Sequence, residues 1–294
     1  MNWKAMVSRR RPKIGLVLSG GAARGLAHIG VISVLIENGI AVDLIAGASF
    51  GAIVGGYLAA GYSIEEIYKK AREFDIWTVR NRKRIGQPYL SRERAEEVFR
   101  RDLGNLRIDE LKIPLLIPAL DLKQGGIHIF KKEDLCTAIL SSSAFPGLFD
   151  PIVHNGHVFI DGGILNSMLL KIASDGGADV VIYSDVSFFS IIYRKKEFGL
   201  LLNVVLSVLP FKKFKPIREV SKLSRLGVII RILSLVEAYR KDCEYYRQTI
   251  PDVIITPELR GIRPLDFSKV EEAYEAGRKA AAEKIENIRK LISD

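Results

Sequence analysis

The sequence predicts an α/β protein, a β-sheet covered by layers of helix. Short apolar runs of strand length alternate with small-residue or amphipathic runs of helix length. Glycine-rich turns stand at the first two strand-to-helix junctions. At 294 residues, 48% hydrophobic and 27% charged, the chain can bury a large core of its own.

Lys13 to Leu18 reads as the first strand and Ser19 to Gly25 as a glycine-rich loop. A helix follows from about Arg24 to Asn38, stopped by Gly39. Val42 to Ala46 is a second buried strand. Phe50 to Ala60 is a second helix, with Ala52, Gly55, Gly56 and Ala59 on its closest-packed surfaces and Gly61 after its end. Ser63-Ile64-Glu65-Glu66 is a capping box that opens a third helix, and Ser91 caps another reaching about Asp102. Leu115 to Asp121 and Ile127 to Phe130 flank Lys123-Gln124-Gly125-Gly126, a hairpin signature. Asp134 to Ser142 is helical and leads into a loop from Ala144 to Pro151. Ile152-Val153 then turns at Asn155-Gly156 into Val158 to Ile160, followed at once by Asp161-Gly162-Gly163. Asp179 to Val186 and Asp252 to Thr256 are later strands, and Ser268 to Ile292 is one long amphipathic closing helix. With no internal repeat, low-complexity linker or composition break, residues 1–294 read as one domain.

Cys136 and Cys243 are the only cysteines, and neither has metal-ligand spacing to another cysteine or to a histidine. No disulfide framework, metal site or cofactor is therefore expected, and a reducing, cytoplasmic setting is. Ser8-Arg9-Arg10 precedes an apolar run too short for an export signal, and no stretch reaches the 18 or so apolar residues of a spanning helix. The net charge of +10 is concentrated. Between Arg194 and Arg247 thirteen Lys and Arg stand against five Asp and Glu, around the apolar runs Phe198 to Pro210 and Leu226 to Val236. Buried helices with solvated ends explain such a pattern; so do helices lying on an anionic membrane at its inner face. No nucleic-acid-binding motif accompanies the charge.

Gly47-Ala48-Ser49-Phe50-Gly51 is a G-x-S-x-G string, weak as a motif but placed between a strand and a helix. A serine on such a turn presents its hydroxyl beside a helix N-terminus, and Gly47 and Gly51 remove the Cβ clashes of a tight elbow. An ordinary strand-to-helix turn is the competing explanation. The loop Gly20-Gly21-Ala22-Ala23-Arg24-Gly25 is the second element, since amides at a helix start receive negative charge. If the first two strands are parallel neighbours, both loops leave the same sheet edge, where an oxyanion formed at Ser49 meets the loop amides. The base is the third. His28 lies inside the first helix, where packing or surface exposure is the expected role. With 137 residues after His157, a Ser-acid-His order fits poorly. Asp161 directly follows a strand and precedes two glycines, so it is the better base; a turn or cap aspartate is the alternative.

SGGAARGLAHIGV (19–31), GASFGAIVGG (47–56), SSSAFPGLFDP (141–151) and DGG (161–163) with Asn166 together resemble the patatin-like acyl hydrolases, including the bacterial patatin-like phospholipases. The resemblance covers residues 13–187 well and the remainder loosely. It implies a three-layer α/β/α sandwich with a mostly parallel central sheet, similar to the catalytic fold of cytosolic phospholipase A2. It also implies a Ser49–Asp161 dyad with the glycine loop as oxyanion hole, and matches Arg24 to the family's arginine, which orients the loop or stabilises negative charge. The family usually has a third glycine where this chain has Ala22. Alanine keeps its N–H and fits if its φ is negative; a positive φ would distort the hole.

The expected function is a serine acyl hydrolase acting on carboxylic esters of lipids, of phospholipase A, lysophospholipase or esterase type, without a metal. Two rivals differ in class. A non-catalytic membrane-associated or regulatory protein would keep the fold and bind anionic vesicles without reacting at Ser49. A dinucleotide-binding protein also opens on strand, glycine loop and helix, but Ala22 breaks G-x-G-x-x-G and Asp43 opens the second strand instead of ending it.

Overall fold

The computed structural model describes residues 11–81, 89–146, 148–165, 168–187 and 250–293. The basic segment 194–247, Asn166 and Cys243 lie outside them.

Among the described residues eight strands form one sheet: β1 (Ile14–Leu18), β2 (Leu44–Gly47), β3 (Leu115–Asp121), β4 (Gly126–Phe130), β5 (Ile152–His154), β6 (His157–Asp161), β7 (Val180–Ser184) and β8 (Val253–Ile255). Their order is β5-β6-β3-β2-β1-β7-β8, with β4 also paired to β3. The strands from β3 through β2, β1 and β7 to β8 are mutually parallel. β4, β5 and β6 add antiparallel pairs, with Asn155 (φ 48°) and Gly156 (φ 78°) in left-handed conformation at the β5–β6 turn.

The alternation of side chains along β1 separates two layers. Ile14, Leu16 and Leu18 belong to the large core packed by α1 (Ala27–Glu37), α2 (Phe50–Ala60), α3 (Ile64–Glu73), α5 (Arg92–Leu103) and α6 (Leu135–Ser142). Val17 faces the other way, onto Leu169, Ile172 and Ala173 of α7 (Met168–Asp175). Burial on both faces is why β1 reads as an uninterrupted apolar run. The result is an α/β sandwich with helices on both sides of a mostly parallel sheet, as expected.

Local signals account for most boundaries. Ser63 and Glu66 complete the capping box of α3, while the Ser91 and Asp134 side chains cap α5 and α6. Four elements differ from expectation. The first helix does not begin at Arg24: residues Ala22–Leu26 form a 3-10 turn, and α1 starts at Ala27. The closing helix is two, α8 (Val270–Ala282) and α9 (Ile285–Ser293), separated at Glu283-Lys284. The buried positions 270, 273, 277, 281, 285 and 288 run straight through that break, so hydrophobic spacing gives no sign of it. The short helix α4 (Ile76–Val79) and α7 carry too few periodic positions to be anticipated. α8 meets α1 backbone to backbone: a Cβ on Gly277 would stand 2.0 Å from Ala27 O, and one on Gly30 2.0 Å from Tyr274 O.

Candidate active site

Register brings the two central residues together. Ala46 on β2 is level with Leu116 on β3, and three residues further along β3, Ala119 is paired with Asp161. Asp161 thus stands at the level of Ser49, three residues beyond Ala46, because β3 outlasts β2 and carries β6 on its extension. The Ser49 hydroxyl donates to Asp161 Oδ2 at 2.8 Å. The Gly163 N–H donates to Asp161 Oδ1 at 2.6 Å, which fixes the carboxylate plane.

Ser49 is the N-cap residue of α2, with φ 52° and ψ −124°. A non-glycine residue held in this sparsely populated region marks a backbone that its surroundings over-determine. Gly47 and Gly51 are part of the reason: a Cβ on Gly47 would lie 2.6 Å from Gly51 O, and one on Gly51 2.2 Å from Leu18 O. The Ser142 hydroxyl, at the end of α6, accepts the Ser49 backbone N–H at 3.1 Å. Nothing in the spacing of Ser141-Ser142-Ser143 distinguished Ser142, since the contact spans 93 residues.

The glycine loop lies against this pair, because β1 and β2 are parallel and release both loops at one edge. A Cβ on Gly20 would come within 3.2 Å of both Ser49 Cβ and Gly163 Cα. Ala22, the departure noted in the sequence, has φ 50°. This is the case in which distortion of the hole is expected, and left-handed geometry costs an alanine about 1–2 kcal/mol, so the loop carries strain there. The Ala23 N–H is bonded to Pro264 O at 2.9 Å.

Asp161 is 3% exposed. Burial pushes its carboxyl up to about 7, against the Ser49 and Gly163 hydrogen bonds, which favour the anion. None of the four histidines lines the cavity at this site. His128 pairs with Glu133 and His157 with Asp121, on β4 and β6, and His28 is fully buried.

A cavity of about 530 Å³ opens from the pair and is lined there by Ser49, Asp161, Gly20, Gly21 and Ala22. Arg24 and Gly25 are not in its wall. Arg24 is buried within electrostatic reach of Asp185. Beyond the polar head the walls are mainly apolar. Phe50, Ile53, Val54 and Tyr57 supply one face of α2, with Phe74, Phe99 and Phe267 among the residues around them. Two helical turns from Ser49, roughly 12 Å at 1.5 Å per residue, the Tyr57 hydroxyl donates to Asp102 Oδ2 at 2.8 Å, and Lys70 pairs with Asp102 at 3.0 Å. The volume lies in the usual range for sites that bury a small ligand. Among the described residues no cluster of three or more His, Cys, Asp or Glu could hold a metal ion.

Known proteins resemble this chain in sequence and in fold. The family described as patatin-like phospholipase matches residues 16–174. The lysophospholipase NTE1 of Kluyveromyces lactis is 30% identical over 90% of this chain, and that of Saccharomyces cerevisiae 29% over 90%. These alignments cover 18% and 16% of the relatives, so the chain spans less than a fifth of either protein. Among solved structures, VipD from Legionella pneumophila superposes with a TM-score of 0.54 at 14% identity, covering 94% of this chain and 67% of that one; the likeness is one of fold.

Proposed function

This chain belongs to the patatin-like phospholipase family, and on that premise we propose that it is a lipid acyl hydrolase that cleaves carboxylic esters through an acyl-serine formed at Ser49. The observation that carries this reading is the 2.8 Å bond from Ser49 to a buried Asp161 at the head of an apolar cavity. Ionised Asp161 removes the hydroxyl proton as Oγ attacks the acyl carbonyl. The oxyanion is received by amides of the Gly20-Gly21-Ala22 loop, beside the positive end of α2. Collapse breaks the ester C–O bond, and the leaving alkoxide takes the proton from Asp161. Water then gives its proton to Asp161 and attacks the acyl-serine. Ser49 departs reprotonated, and the carboxylic acid is released. A carboxyl near 7 suits a group that must accept and return a proton near neutrality. The acyl chain lies along the α2 face.

Release of fatty acid from a lysophospholipid by the purified chain, with Ser49→Ala and Asp161→Asn alongside, tests the proposal. Turnover by the wild type and a fall of about 10³-fold or more in each variant are expected; wild-type turnover in either variant would sink the dyad.

One observation favours a second reading, in which the fold binds lipid without turnover: Ala22 occupies a left-handed position. Fatty-acid release separates the two. Peripheral contact with an anionic membrane is compatible with both. It draws support from the net charge of +10 and its concentration between Arg194 and Arg247. Among the described residues no helix is long and apolar enough to cross a membrane.

A further inference from the structure

The sequence motif 19–31 contains a histidine that the proposed chemistry leaves unused. His28 is 0% exposed. Its Nε2 lies 2.9 Å from Ser19 O, and its Nδ1 lies 2.8 Å from Ser184 Oγ. A carbonyl only accepts, so Nε2 carries the hydrogen and donates to Ser19, and Nδ1 accepts the Ser184 hydroxyl hydrogen. Burial holds the ring neutral, with its titration pushed down to about 4, so this pattern persists wherever the enzyme would work.

Ser19 is the residue from which the glycine loop departs. Its N–H donates to Ser184 O at 3.2 Å, and its hydroxyl accepts the Val186 N–H at 2.9 Å. The loop is pressed onto the same segment: a Cβ on Gly21 would stand 2.9 Å from Val186 O. The next residue, Ala22, is strained, and strained conformations persist only where neighbours over-determine them. β1, β7 and α1 meet at this point, and the imidazole ties all three.

We propose that His28 is a positioning residue for the oxyanion loop: by holding the Ser19 carbonyl and the Ser184 hydroxyl together, it fixes the peptide plane from which Gly20, Gly21 and Ala22 present their amides to the acyl carbonyl at Ser49. The proposal rests on the serine hydrolase reading for its catalytic consequence, though not for its effect on the loop.

The test uses the full chain and four proteins: wild type, His28→Phe, His28→Gln and Ser184→Ala. Glutamine places an amide N–H near the Nε2 position and retains the bond to Ser19; phenylalanine keeps the ring and loses both bonds. In hydrogen exchange, the peptide covering residues 19–26 is expected to exchange about tenfold faster in His28→Phe and faster by a smaller factor in Ser184→Ala, with His28→Gln nearer wild type. With 4-nitrophenyl butyrate, kcat is expected to fall roughly tenfold to a hundredfold in His28→Phe while KM changes by less than about twofold, the signature of a defect felt in the transition state. Affinity for a trifluoromethyl ketone, which forms a tetrahedral adduct, is expected to fall in parallel with kcat. If His28→Phe does not fold, Ser184→Ala carries the same expectations at smaller amplitude. Unchanged exchange in a folded His28→Phe, or in Ser184→Ala where that variant stands in, overturns the proposal whether or not the chain has activity. Faster exchange with wild-type kcat, or a His28→Gln variant as defective as His28→Phe, overturns the positioning role while leaving the hydrolase reading intact. A wild type without turnover removes the hydrolase reading, and the exchange result then still decides whether His28 sets the loop.

Discussion

At Asp161 burial favours the neutral acid, while the Ser49 and Gly163 bonds favour the anion, and burial wins. The sign has two consequences. Only the ionised form can accept the Ser49 proton, so kcat/KM is expected to fall about tenfold per pH unit below 7 and to level off above it. The folded-state value also lies above that of an unfolded aspartate. The unfolded chain therefore ionises first, and stability is lost as pH rises from about 4 through 7. Asp161→Asn removes this cost: at pH 8 its Tm is expected to exceed that of the wild type although turnover is abolished. A lower Tm at pH 8 would contradict the burial argument. Ala22, at φ 50°, permits a comparable test. Ala22→Gly relieves strain but frees the unfolded chain, so stability should move by less than about 1 kcal/mol, with kcat equal or higher. Ala22→Val, β-branched in a left-handed position, should lose both stability and turnover. Thermal melts and ester hydrolysis on the same samples check both variants.

Helix α2 joins the nucleophile to the cavity. Ser49 caps it, and Phe50, Ile53, Val54 and Tyr57 form the wall along which an acyl chain would lie. Each buried methylene is worth about 0.8 kcal/mol, roughly fourfold in kcat/KM. Rates on 4-nitrophenyl esters are therefore expected to rise with chain length. Ile53→Trp, one turn from Ser49, should flatten that rise while sparing the acetate ester. A variant whose long-chain preference persists would remove the acyl chain from this wall. The α1–α8 contact makes a structural prediction: Gly277→Ala drives a methyl into Ala27 O, which should destabilise by about 1–3 kcal/mol, as overpacking does, and can be measured by denaturant unfolding.

For the whole molecule, much of the architecture was legible because the parallel strands are buried on both faces. IGLVL at β1 and LIAG at β2 appear as unbroken apolar runs between glycine turns. Caps at Ser63 and Ser91 marked helix starts for local hydrogen-bonding reasons. Ser49 and Asp161 could be singled out because each lies at or just past the end of a strand, next to glycines. What the sequence withheld depends on tertiary register. The φ of Ala22 is imposed by its neighbours, the Ser142 contact spans 93 residues, and the pairing of Ala119 with Asp161 follows from how far β3 outlasts β2. The sequence offers His28 only packing or surface exposure, because its partner Ser184 lies 156 residues away. Charge on this scale carries the membrane proposal. Sedimentation with anionic vesicles should fall steeply between low and high salt; binding indifferent to both salt and anionic lipid would remove it.

If Ser49 is an activated nucleophile with an oxyanion site beside it, the purified chain reacts with a fluorophosphonate at that residue. A stable phosphonyl adduct, mapped by mass spectrometry to Ser49, absent in Ser49→Ala and formed far more slowly in Asp161→Asn, is the expected result. A well-folded wild type that takes no label would contradict it and leave a lipid-binding member of the family in its place.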